Sequence, residues 1–94
     1  MGKKRHSPEL RRALLEVVEN QLRDGTPPET RTTLQRLLAE GFSRDEAIEL
    51  IACVVSTEIF DVLKSRLPYD EQRYVAGLRA LPQLPWERAE ASPN

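Results

Sequence analysis

The chain has little of what most active sites are built from. Its 94 residues include one cysteine and one histidine. Cys53 alone cannot close an internal disulfide, so the fold must stand on its core. His6 lies in the basic opening "MGKKRH", far from Cys53 in sequence. A Ser-His or Cys-His pair therefore has no base beside its nucleophile. A zinc cage of three or four ligands lacks its usual donors. The glycines are scattered at positions 2, 25, 41 and 77, which excludes a glycine-rich phosphate loop. No segment approaches the roughly 20 apolar residues that span a bilayer. The basic start is not followed by the apolar run of a secretory signal. Neither charge sign dominates: 14 Lys and Arg face 15 Asp and Glu, a formal net charge of −1. No global field then favours nucleic acid or membrane. The expectation is a soluble, cytoplasmic chain with no cofactor, no metal and no membrane partner. Nucleic acid is not expected either. The "KKRH" arm lacks aromatic interleaving and a recognition helix, so its plain reading is a solvated tail.

What is present is helical pattern and helix punctuation. Hydrophobic residues make up 39% and charged residues 31%. That supports one modest core, expected over residues 7–81, between a disordered basic tail at 1–6 and a proline-rich tail at 82–94. Ser7, Pro8 and Glu9 read as N-cap, first helical position and acidic first turn. Leu10, Ala13, Leu14, Val17, Val18 and Leu22 then share one face, and Gly25 ends the helix. Thr26 is expected to cap a second helix, with Glu29 reaching back and Pro27 in the first turn. Its stripe is Thr30, Thr33, Leu34, Leu37 and Leu38.

Gly41 closes the second helix, Phe42 packs back on its last turn, and Ser43 with Glu46 forms a capping box for the third. From Arg44 to Leu67 there is no Gly, Pro or Asn. This stretch is apolar on nearly all sides, the mark of a buried helix, and would be about 35 Å long. Pro68 breaks it. Asp70 is expected to cap a fourth helix, with Tyr74, Val75, Leu78 and Leu81 inward and Gly77 weakening it. Short connections favour antiparallel neighbours. The expected fold is all-α, a compact four-helix bundle with a long, central, mostly buried third helix.

Few residues stand out as carriers of chemistry. Gln21 lies in the middle of the first helix's apolar stripe, where an amide needs partners. It would orient a ligand or, more simply, tie a helix end to the core. Asp45, Glu49, Cys53, Thr57 and Asp61 form a row at every fourth position of the third helix. With Gln21, Asp45 and Glu49 would line a functional cleft. The plainer reading is a solvated edge paired with arginines such as Arg11, Arg12 or Arg31. Cys53 has no sequence neighbour to activate it and reads as a small core residue. Phe42 and Trp86 are candidate interaction residues. For Trp86, in "LPQLPWE", packing against its own helices is the first expectation.

Two resemblances add to this. "AEGFSRDEAI" resembles the Gly-Phe loop of ubiquitin-associated domains, which implies a peptide-binding surface at Phe42. Those domains break their second helix where this chain reads as continuous, and every residue of the step already has a capping or packing role. More broadly, "VENQL", "LLAEGFSRDEAI" and "PYDEQRYVAGL", in that order, resemble a family of short bacterial helical domains of unestablished activity. The resemblance implies a bacterial source. Such domains tend to carry histidines, in a spacing suited to metal, at positions that correspond here to Arg11, Leu15, Asp45 and Glu49. None is histidine, so a metal or enzymatic site of that kind would have lost its nitrogen ligands.

Taken together, these features lead to a non-enzymatic helical module for protein interaction or assembly. The partner is an unknown protein or a second copy, since so apolar a third helix asks for more cover than three short helices supply.

Overall fold

Helix α1 runs Pro8–Asp24 and buries Val18 and Leu22, with Leu14, Leu15 and Val17 partly buried beside them. Leu10 and Ala13, expected on that face, are exposed because the stripe rotates towards Leu15. The computed structural model describes residues 8–87, so the Ser7 cap, the basic tail and the last seven residues lie outside the described part. Gly25 takes a φ of +72°, and its N–H donates to the Gln21 carbonyl at 2.8 Å. The Thr26 N–H donates to the same carbonyl at 3.2 Å. Thr26 thus completes the end of α1 and does not cap α2, whose N-cap is Pro27 with no side-chain bond. Glu29 does not reach back as expected.

Helix α2, Pro28–Ala39, buries Thr30, Thr33, Leu34 and Leu37, while Leu38 is exposed. It ends as read. The Phe42 N–H donates to the Leu37 carbonyl and the Gly41 N–H to the Leu38 carbonyl, both at 3.1 Å, with Gly41 at φ +106°. This paired pattern satisfies two carbonyls that a helix end leaves open. Phe42 is half-buried against the core.

Helix α3, Arg44–Ser65, opens on the expected capping box: Ser43 Oγ accepts from the Glu46 N–H at 3.0 Å, and Glu46 Oε1 from the Ser43 N–H at 2.8 Å. It stops two residues earlier than Leu67. Pro68 disfavours helical geometry at the residue before it, and Arg66 turns left-handed at φ 63°. Helix α4, Glu71–Ala80, is capped by Asp70, whose carboxylate accepts from the Arg73 N–H at 3.2 Å. Tyr74, Val75, Leu78 and Leu81 all face inward. Gly77 has a packing reason. A Cβ there would stand 2.8 Å from Val54 Cγ1, so the glycine lets α4 lie close on α3.

The described residues are therefore all-α. Helix α3 touches α1, α2 and α4. Two arginines of α2 tie the other helices together at their C-terminal ends. Arg31 donates to the Leu22 carbonyl at 2.6 Å, and Arg36 to those of Leu78 and Leu81 at 3.1 and 2.9 Å. Positive charge at a helix C-terminus is favourable, and these bonds fill carbonyls that would otherwise be open. After α4 the chain folds back. Leu84 packs on the core, and a single turn at 85–87 is held by Glu87, which accepts from the Leu84 N–H at 3.0 Å.

The burial of α3 differs from the expectation of a helix covered along its length. Ala47, Ile48, Ile51, Ala52, Val54, Val55 and Glu58 are buried. Beyond Glu58 the cover ends: Ile59 is 44% exposed, Phe60 62%, Leu63 72% and, just past the helix, Leu67 57%. Ten residues of α4 and the end of α1 do not reach far enough along a helix of twenty-two.

Candidate functional site

The exposed end of α3 borders an open groove of about 320 Å³ between α1, α3 and the loop before α4. It is lined by Val17, Val55, Ile59, Val62, Leu63, Tyr69 and Tyr74, together with Gln21 and Glu58. The Tyr69 and Tyr74 rings meet at 6.3 Å between centroids, tilted by 53°. Outside the groove, Phe60 is exposed, with the Lys64 ammonium 5.8 Å from its ring centre. An apolar ridge and an apolar hollow thus lie side by side on one face.

Gln21 has the partners that its position demands. Its Oε1 accepts from the Thr30 hydroxyl at 2.7 Å and from the Tyr74 hydroxyl at 2.8 Å. Thr30 and Tyr74 are fully buried, so Gln21 joins α1, α2 and α4 through two hydroxyls removed from water. Burial pushes the Tyr74 phenol above its ordinary value. Tyr69 is also raised, by burial first and then by neighbouring carboxylates, Glu71 foremost.

Glu58 is the buried charge of the structure. Its carboxylate accepts from Arg73 Nε at 3.0 Å, from Arg73 Nη2 at 2.8 Å and from the Asp70 N–H at 3.3 Å. The Glu58 side chain is 7% exposed and that of Arg73 40%. A two-pronged arginine contact plus a backbone donor meets most of the demand of a buried carboxylate. The bond to Glu58 raises Arg73 further above its already high value. The pair fixes the loop 66–70 and the start of α4 against α3. Sequence reading passed over Glu58. The available signal was an acidic residue one turn after Val54, on the buried side of α3.

The other residues singled out from the sequence lie elsewhere. Asp45 is exposed in the first turn of α3, and Glu49 is in an ion pair with Arg11. Glu49 borders hollows with Cys53, Trp86 and Phe42, and not the groove of Gln21, so the three do not share one cleft. Of the arginines expected along the acidic row, Arg11 meets Glu49, whereas Arg31 serves the end of α1. A second exposed pair joins Arg44 to Glu19 at 3.0 Å, and this bond holds the Glu19 carboxyl below its usual range. Burial pushes the Cys53 thiol up, away from the thiolate a nucleophile needs. Trp86 remains exposed over α3, beside Cys53 and Ser56 on one flank and Arg73 on the other.

Among the described residues no group of three or more His, Cys, Asp or Glu could hold a metal ion. No described helix is long and apolar enough to cross a membrane. No family model, curated protein or solved structure matches the chain.

Proposed function

We propose that the chain is a non-enzymatic assembly module: a four-helix bundle around α3 that pairs with a second copy of itself through the exposed end of that helix. One observation carries this reading, the exposed apolar side chains of Ile59, Phe60, Leu63, Leu67 and Tyr69 at the end of α3 and in the loop after it. The five exposed side chains present on the order of 500 Å², at the upper end of what a monomer shows without a binding role. Two such faces together would bury roughly 1,000 Å², the lower limit of a specific interface. Ridge beside groove suits a two-fold contact, in which each copy supplies both halves. The pairing is accordingly weak and reversible.

The ubiquitin-associated reading fares less well. It needs a turn between Val54 and Glu58, and α3 is continuous from Arg44 to Ser65. Phe42, its key residue, is half-buried in its own core. A metal or enzymatic reading would draw on Asp45 and Glu49, one exposed and the other paired with Arg11. Thermal stability unchanged across a metal titration would count against it.

Sedimentation velocity over a concentration series tests the assembly. The full chain should shift from monomer to dimer in the micromolar range. Phe60→Asp should stay monomeric with unchanged helical circular dichroism, because Phe60 lies outside the core. A wild-type chain that remains a monomer throughout would sink the self-association.

A further inference from the structure

Helix α3 carries a seam whose side chains change in size along its length. Cys53, Ser56, Phe60 and Leu63 follow one another at steps of three, four and three residues, the spacing that keeps side chains on one stripe of a helix. Towards the C-terminal end of the seam, Phe60 and Leu63 stand mostly exposed as a ridge. Towards its N-terminal end, the smaller Cys53 and Ser56 line a hollow of about 300 Å³, together with Leu10 and Leu14 of α1 and with Trp86. Leu10 and Trp86 are themselves 55% and 51% exposed. One helix thus presents large side chains at one end and a hollow with small ones at the other.

We propose, resting on the self-pairing above, that the two copies meet with their α3 helices antiparallel, so that Phe60 and Leu63 of each enter the Trp86 hollow of the other. Size sets the direction. Ser56 and Phe60 are equally far along α3 from Glu58, and so are Cys53 and Leu63. A two-fold axis level with Glu58 therefore sets Phe60 opposite Ser56 and Leu63 opposite Cys53 of the second copy. Large meets small at each step, which is how facing surfaces reach interior packing density. A parallel pair would set Phe60 on Phe60 and leave Ser56 facing Ser56 across an unfilled hollow, whose lining would lose its contacts. About 300 Å³ takes roughly ten water-sized groups, close to a phenylalanine and a leucine side chain together. Charge points the same way. Helix α3 has Lys64 in its last turn and Arg66 just after it. An antiparallel pair brings Lys64 level with Ala52 of the second copy, one turn from Glu49, whose side chain is 43% exposed. A parallel pair would gather both basic ends and both helix C-termini at one place. Leu10 and Trp86 also enlarge the face, carrying it past the roughly 1,000 Å² that a specific interface needs.

The test uses the chain's one tryptophan and one cysteine. Trp86 borders the hollow. As the full chain is concentrated through the dimerisation seen in sedimentation, Trp86 emission should move to shorter wavelength and acrylamide should quench it less. Leu63→Cys changes a mostly exposed position. Oxidised with diamide at a concentration where sedimentation shows it paired, this variant should form a disulfide between position 63 and Cys53 of the second copy. Within one chain the two positions lie about 15 Å apart along α3, beyond the roughly 7 Å that a disulfide spans, so the link must join two copies. Peptide mapping should find it, and it should be lost when Cys53→Ser is added. A crosslink that survives Cys53→Ser joins position 63 of both copies, which means parallel pairing and overturns the proposal. No crosslink in the paired variant, or Trp86 emission that stays constant while the chain pairs, overturns it too. In each of these cases self-pairing itself stands. A chain that stays monomeric at every concentration overturns both.

Discussion

Replacing Gln21 with leucine should cost the fold far more than its half-exposed position suggests. The reason lies in what the substitution leaves behind. The Thr30 and Tyr74 hydroxyls both donate to Gln21 Oε1, and both residues are out of water. Leucine removes the shared acceptor and strands two buried donors. A stranded buried donor costs about 1–3 kcal/mol. The two hydroxyls recover part of this, since they lie close enough to bond each other, and the leucine gains some apolar contact with Val17 and Val55. The net expectation is a loss of about 2 kcal/mol, or roughly 8–16 °C in melting temperature for a domain of this size. The control is a triple replacement, Gln21→Leu with Thr30→Val and Tyr74→Phe. It removes donors and acceptor together, and replacing all partners by apolar groups of similar shape is close to neutral. The triple variant should therefore be more stable than the single one. Urea unfolding followed by circular dichroism measures both. If Gln21→Leu costs under about 0.5 kcal/mol, or the triple variant is no more stable than the single, the three side chains do not act as one buried network.

The Glu58–Arg73 contact should show an asymmetry between its partners. Arg73→Met leaves a buried carboxylate with only the Asp70 N–H, whereas Glu58→Gln leaves an arginine that already reaches water. The first should cost more, about 2–4 kcal/mol against about 1–2, and equal losses in denaturant titrations would contradict this reading of their burial. The alkaline limit of stability should depend on Tyr74. Its phenol titrates higher folded than unfolded, so the unfolded chain loses the proton first. Its contribution is complete below about pH 10 and is lost as pH rises through the folded value. Tyr74→Phe should be the less stable protein at neutral pH, and the gap should narrow above pH 10. A gap that does not change with pH, measured by urea unfolding at stepped pH, would refute it. Cys53 acts in the same sense from about pH 9, so the comparison is made in a Cys53→Ser background.

The helix ends were the most legible part of the chain, because each is decided within a few residues. Ser43 with Glu46, Gly41 with Phe42, and Asp70 act across one turn, and all three hold in the structure. Thr26 shows where local rules collide. It can cap the next helix or finish the previous one, and Gly25 gives it to the previous one. Burial depends on distant parts of the chain. The apolar run from Arg44 to Leu67 reads as uniformly buried, yet much of its last third is open because no other described helix extends over it. How far a neighbour reaches is set by how the helices cross, and no local pattern encodes it.

The polar contacts divide in the same way. That Gln21 needed partners follows from its place in an apolar stripe. That the partners are Thr30 and Tyr74, nine and fifty-three residues away, follows only from three helices meeting at one point. Glu58 and Arg73, fifteen residues apart, meet because the turn at Arg66 folds α4 back on α3. Gly77 marks the same boundary. Its sequence reading is a weak helix residue, and only the approach of Val54 shows what its missing side chain makes room for. Sequence alone determined the all-α class, the number of long helices and where most of them end, since these rest on capping chemistry and period. The tertiary structure decided which apolar residues stay uncovered, which carboxylate is buried, and which hydroxyls meet the Gln21 amide. Those depend on the spatial order of helices that lie far apart in the chain.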